Sequence, residues 1–180
     1  MTSMVLLVRA TAAELQRPVI WARTRVRLVD SERAGWTIAD VGEPNQAALE
    51  RVAEEVSALG PALLLVVGDL RTGVQLWQEG QRRARVGWTS GEVNTLPSRE
   101  AEAIASAFAS ALDVDSGPVA RVLREATNPD RTRRAFMAAL RAPVPSHFGR
   151  HSSGPLDSER TTDVRRHGIL DAAVEETWGH

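Results

Sequence analysis

Six consecutive apolar residues, Ala62 to Val67, follow a Gly60-Pro61 break and end at Gly68-Asp69. A run this short is far from the length of a membrane span, and it has no polar position to turn toward water. It reads as a strand covered on both faces or set in the middle of a sheet. The rest of the chain has to supply that cover.

The flanking segments supply helices and hairpins. Asn45 to Leu59 places Leu49, Val52, Ala53, Val56 and Leu59 on one helical stripe, stopped by Gly60-Pro61. Ser98 is a suitable N-cap for a second helix to Leu112, with Glu100 and Glu102 in its first turns and Ala101, Ile104, Ala105, Phe108 and Leu112 on its stripe. Val74–Gln78 and Arg82–Trp88 flank Glu79 to Gln81, a hairpin with Gly80 in its turn. Met4 to Arg9 reads as a short buried strand. Thr11 to Arg17 reads as a turn or short helix ended by Pro18. Val19 to Val29 then alternates, with Ile20, Ala22, Val26 and Leu28 on one side and Trp21, Arg23, Arg25 and Arg27 on the other, and Gly35 to Val41 is its hairpin partner. Val119 to Ala126 and a helix opened by Asn128-Pro129 and running to Arg141 form a helical hairpin.

A 52-residue echo runs through these elements: Gly35-Trp36-Thr37 with Val41 recurs as Gly87-Trp88-Thr89 with Val93, each followed by an amphipathic helix. It admits two readings, an internal ββ(β)α duplication with half-repeats 1–60 and 61–116, or coincidence among common residues. Charge follows the same division. Residues 1–30 and 61–90 carry 5 Arg against 2 acids and 4 against 2, whereas 31–60 and 91–116 carry 2 against 6 and 1 against 5. The expectation is an α+β two-layer sandwich: a mostly antiparallel sheet of about six strands, both long helices on one face, then the short helices of 117–141. One domain, 1–142, is expected. A linker over 143–162, rich in Pro, Ser and Gly, and a tail helix over 163–180 carrying Leu170, Val174 and Trp178 follow it.

Composition narrows the function. With no Cys there is no disulfide, thiolate zinc site or cysteine nucleophile, and all 22 basic residues are Arg. Every exposed cation is therefore Arg, and an Arg cluster carries less information about anions than usual. Met4 to Val8 has no basic region before it and is too short for a signal peptide, so a cytoplasmic protein off the membrane is expected.

Catalytic patterns are missing: no nucleophile elbow, phosphate loop, dinucleotide fingerprint or His-Glu-x-x-His occurs. His147 and His151 have a metal-like spacing but lie among Pro and Gly without a third ligand, and Asp113, Asp115 and Gly117 would end a calcium loop on Arg124 where it needs Glu. Glu54 and Glu55 read as an exposed acidic edge. Asp69, closing the apolar strand, reads as a turn residue or as the centre of an unfamiliar active site. No cofactor, metal or catalytic residue is assigned.

Binding is the class that remains. If the helices shield one sheet face, the other shows Trp21 with Arg23, Arg25, Arg27, Arg83 and Arg85, a surface for another protein, a second copy of the chain included. Leu170, Val174 and Trp178 make the tail a second candidate contact. The alternative is nucleic acid, held by the same Arg face or by Arg131, Arg133 and Arg134 early in the second helix of the hairpin; a net charge of −1 speaks against it. The expectation is a non-enzymatic protein-binding module of the adaptor, accessory-subunit or immunity-protein kind.

Overall fold

The computed structural model describes residues 2–41, 45–144 and the backbone of 161–164. Seven strands form one sheet: β1 (Ser3–Val8), β2 (Val26–Asp30), β3 (Thr37–Asp40), β4 (Ala62–Val67), β5 (Arg71–Gln78), β6 (Gln81–Thr89) and β7 (Thr161–Val164). Their spatial order is β6-β5-β4-β1-β3-β2-β7, and every neighbouring pair is antiparallel. The five helices are α1 (Ala12–Trp21), α2 (Gln46–Val56), α3 (Ser98–Leu112), α4 (Ser116–Arg124) and α5 (Pro129–Ala139). The α+β class and the antiparallel sheet are as the sequence leads one to expect.

The layering is not. Leu6, Val8, Ala62 and Leu64 pack with α1 and α2 residues, whereas Val5, Leu7, Leu63 and Leu65 pack with residues of α3, α4 and α5. Side chains alternate across a strand, so the two long helices lie on opposite faces and the molecule has three layers. The expectation of both helices on one face is corrected. Its physical reason was present in Ala62 to Val67, because a strand with no polar position needs cover on both sides.

The duplication falls with it. Antiparallel halves joined edge to edge at β1 and β4 would be related by a two-fold axis perpendicular to the sheet, which keeps equivalent helices on one face. Trp36, just before β3, and Trp88, in β6, are both buried on the α3–α5 side, but β3 lies next to β1 near the sheet centre and β6 lies at the edge.

The first helix is also longer than expected. Thr11 caps it with a capping box, its hydroxyl accepting from the Glu14 N–H and its own N–H donating to Glu14 Oε2 at 2.8 Å. The helix continues through Pro18 to Trp21, so Val19 to Trp21 are helical and the strand begins only at Val26. Ala12, Leu15, Val19 and Ala22 are buried at helical spacing against Leu6, Val8 and Leu28. That burial outweighs the one helical hydrogen bond Pro18 cannot make.

Elsewhere the local chemistry behaves as the residues dictate. Asn45 caps α2 by accepting from the Ala48 N–H at 3.0 Å, and Asn128 caps α5 ahead of Pro129. Ser98 is the first residue of α3, not its cap; Pro97 takes the cap position without a side-chain bond. The β5–β6 hairpin turns on Glu79 and Gly80, both at positive φ, and docks on the end of α2, where the Glu79 N–H donates to the Ser57 carbonyl at 2.9 Å and the Gly80 N–H to the Ser57 hydroxyl at 3.0 Å. Gly60 lets the chain pass from α2 into β4, since a Cβ there would stand 2.7 Å from the Arg9 carbonyl oxygen.

The far end of the chain brings a further correction. Thr161–Val164 pairs with β2, Arg27 standing opposite Asp163 and Val26 opposite Val164. The linker therefore ends before Thr161, and Asp163 and Val164 belong to a strand where a helix was expected. Leu170, Val174 and Trp178 lie outside the described residues, as do His147 and His151.

Candidate functional site

Trp21 is the last residue of α1, and 47% of it is exposed, unusual for the largest apolar side chain. The chain reverses straight after it. The Ala22 N–H donates to the Pro18 carbonyl at 3.3 Å, the Arg23 N–H to the Ile20 carbonyl at 3.1 Å, and the Thr24 hydroxyl to the Ala22 carbonyl at 3.1 Å. Ala22 is buried, while Arg23, at φ 51°, is displayed outward on the left-handed turn.

Across from this turn, α2 presents its outer face. Its inner stripe is Leu49, Val52, Ala53 and Val56, so Arg51, Glu54 and Glu55 are left exposed on the outside. Trp21, Ala22, Arg23, Arg51, Glu54 and Glu55 together line an open groove of about 440 Å³. Two guanidinium groups, two carboxylates and one indole give it both signs of charge around an aromatic surface. Such a lining can stack on a planar or cationic group, form bidentate bonds to a carboxylate, and bury an apolar side chain. Among the described residues no group of His, Cys, Asp or Glu is placed to hold a metal ion.

The structure keeps Trp21 and Arg23 together and disperses the rest of the expected Arg face. Val26 and Leu28 point to the α1–α2 side, so Arg27 between them points to the other. Val86 and Trp88 point to the α3–α5 side, and Arg85, next to Val86, points to the α1–α2 side at the opposite end of the sheet. Arg83 sits at the irregularity where Trp77 pairs with Arg82 and Leu76 with Ala84, and it is paired with Glu79. Arg25 is exposed just before β2. No single sheet face carries all five, because α1 takes up the residues the alternation had assigned to a strand.

The helical hairpin is equally unlike a groove reader. Arg133 is 4% exposed and donates to Asp130 Oδ1 at 2.6 Å, while Arg134 reaches Asp130 Oδ2 at 2.9 Å. The hydrogen bond from Arg133, with both positive charges close by, holds the Asp130 carboxyl below the usual carboxylate range. Both Arg are thus engaged within α5, and Arg131, at the start of that helix, is exposed. Asp69 lies in the β4–β5 turn, where the Gly68 N–H donates to the Arg71 carbonyl at 2.7 Å.

Glu54 and Glu55 read from the sequence only as an exposed acidic edge, and Arg51 carries no sequence signal of its own, yet all three line the groove. The Ala12, Leu15, Val19, Ala22 spacing is the signal that would have found the groove, because it extends α1 and ends it at Trp21. Comparison with protein-family models, characterised proteins and solved structures gives no significant match to this chain. No helix among the described residues is long and apolar enough to cross a membrane.

Proposed function

We propose that this chain is a non-enzymatic protein-binding module, an adaptor, accessory subunit or inhibitor, and that it grips its partner in the groove between α1 and α2. The half-exposed Trp21 flanked by Arg23 and Arg51 carries this reading. Trp and Arg dominate binding hot spots because each combines a large planar contact with directional polar groups. Glu54 and Glu55 beside them suit a partner surface of mixed charge and set its register more than its affinity.

The test begins with cross-linking in the native host to identify the partner, followed by titration of the purified pair. Trp21→Ala is expected to weaken binding by about 30-fold, the scale of a 2 kcal/mol hot spot, with the thermal midpoint unchanged. Full affinity in that variant would remove the groove from the account. Nucleic acid is the less supported alternative, given the dispersal of the Arg residues. Binding of a generic duplex at low salt that falls steeply with added salt would restore it.

A further inference from the structure

The described chain ends beside the groove. Val164 pairs with Val26, and β7 runs antiparallel to β2, so β7 finishes at the end of β2 that Thr24, Arg23 and Trp21 lead into. Helix α1 also runs beside β7. Trp21 and Ile169 are each five residues from this paired point, a reach of up to about 17 Å for each.

Sixteen residues, 165–180, follow β7, and their composition complements the groove. From Ile169 onward they carry Ile169, Leu170, Val174 and Trp178 as apolar groups and Asp171, Glu175 and Glu176 as charged ones, with no Arg. The groove offers an indole with Arg23 and Arg51 and, beside them, Glu54 and Glu55. A segment with apolar groups for Trp21, acids for the two guanidinium groups and, in Arg165 and Arg166, cations for the two carboxylates matches that lining. Tethering by β7 adds a high local concentration that no free partner has.

We propose that residues 169–178 of the chain occupy the Trp21 groove in cis and compete there with the partner. The proposal rests on the groove being the binding site. It makes the tail the regulator of that site: a partner must displace the segment, and its apparent affinity is reduced by the fraction of time the groove is open.

The test uses the full-length chain and a full-length variant with Leu170→Ser, Val174→Ser and Trp178→Ser together. Indole and backbone NMR signals report the groove directly. The expected result is a shift of the Trp21 indole and of the Arg23, Arg51, Glu54 and Glu55 amides between the two proteins, independent of concentration, with the β5 and β6 signals unmoved. A synthetic peptide of residues 165–180 added to the triple variant should return those signals toward their original positions, and should fail to do so when Trp21→Ala is also present. Unchanged groove signals, or shifts confined to another surface, would overturn the proposal. Shifts that grow with concentration would also overturn it, because they would show a second copy as the occupant. Once a partner is identified, the triple variant should bind it about tenfold more tightly if the segment fills the groove nine-tenths of the time. Equal affinity with the NMR shifts present would leave the groove without its partner role, whereas equal affinity without them would remove the tail alone.

Discussion

The two edges of the sheet solve the same problem differently. At one edge, β6 is nine residues long, and its outer side faces no further strand among the described residues. It carries Arg82, Arg83 and Arg85 and an irregular register at Leu76/Trp77, features that disfavour pairing with another chain. At the other edge, β2 is five residues long and alternates Val26, Arg27, Leu28, Val29, a sequence that invites a neighbour. That edge is covered by β7, from the far end of the chain, with Arg27 opposite Asp163. The β6 edge is guarded by its own residues. The β2 edge depends on a segment more than 130 residues away in sequence.

The largest effect should come from the inward side of the guarded edge. Trp88 is fully buried and meets Phe136 edge-on at 5.5 Å between ring centroids, so Trp88→Ala should cost about 3–5 kcal/mol in chemical denaturation. Arg85→Ala, pointing outward three residues earlier, should stay within about 0.5 kcal/mol. Equal costs would mean that β6 is not held by its inner face.

Ending the chain at Arg160 sharpens the comparison at the other edge. Loss of the short β7 pairing should cost about 1 kcal/mol, or roughly 2–4 °C in Tm. It should also produce concentration-dependent association visible by light scattering, as the β2 edge becomes free to pair. Converting Arg82 and Arg85 to Val in the full chain should produce similar association through β6, with stability changed by about 0.5 kcal/mol or less. If only one of the two alterations causes association, the edges are not equivalent hazards.

The smallest effect is on pH dependence. Asp130 is held below the ordinary carboxylate range by Arg133 first, and Glu14 by the backbone and then the hydroxyl of Thr11. A folded pKa below the unfolded one contributes stability above the unfolded value, and that contribution is lost as pH falls through the folded value. Asp130→Asn should therefore lower stability at pH 7 by about 0.5–1 kcal/mol, solvent screening keeping the effect small at this half-exposed side chain, and the difference should shrink as pH falls through and below the ordinary carboxylate range. A constant difference across that range would assign the effect to packing.

Much of the fold was legible because its signals are local: the Gly60-Pro61 stop, the Gly80 hairpin and the Asn128 cap each act within a few residues. Two features were hidden by competition between periods. Ala12, Leu15, Val19 and Ala22 mark a helix, yet Pro18 and the alternation from Ile20 to Leu28 mark a strand, and only burial against Leu6 and Val8 decides between them. The Arg residues were grouped by a period of two that does not begin until Val26. The β2–β7 pairing had no local signal, since Thr161–Val164 has no hairpin turn linking it to β2. It becomes visible only when the edge it covers is known.

Amide hydrogen exchange on the full chain and on the chain ended at Arg160 tests the central claim most directly, that the distal segment covers the β2 edge and adjoins the Trp21 groove. Protection is expected to fall in the shortened protein at alternate amides of Val26–Val29 and around Trp21 to Arg23, while β6 exchanges as before. Unchanged protection along β2, or a loss at β6 instead, would contradict it.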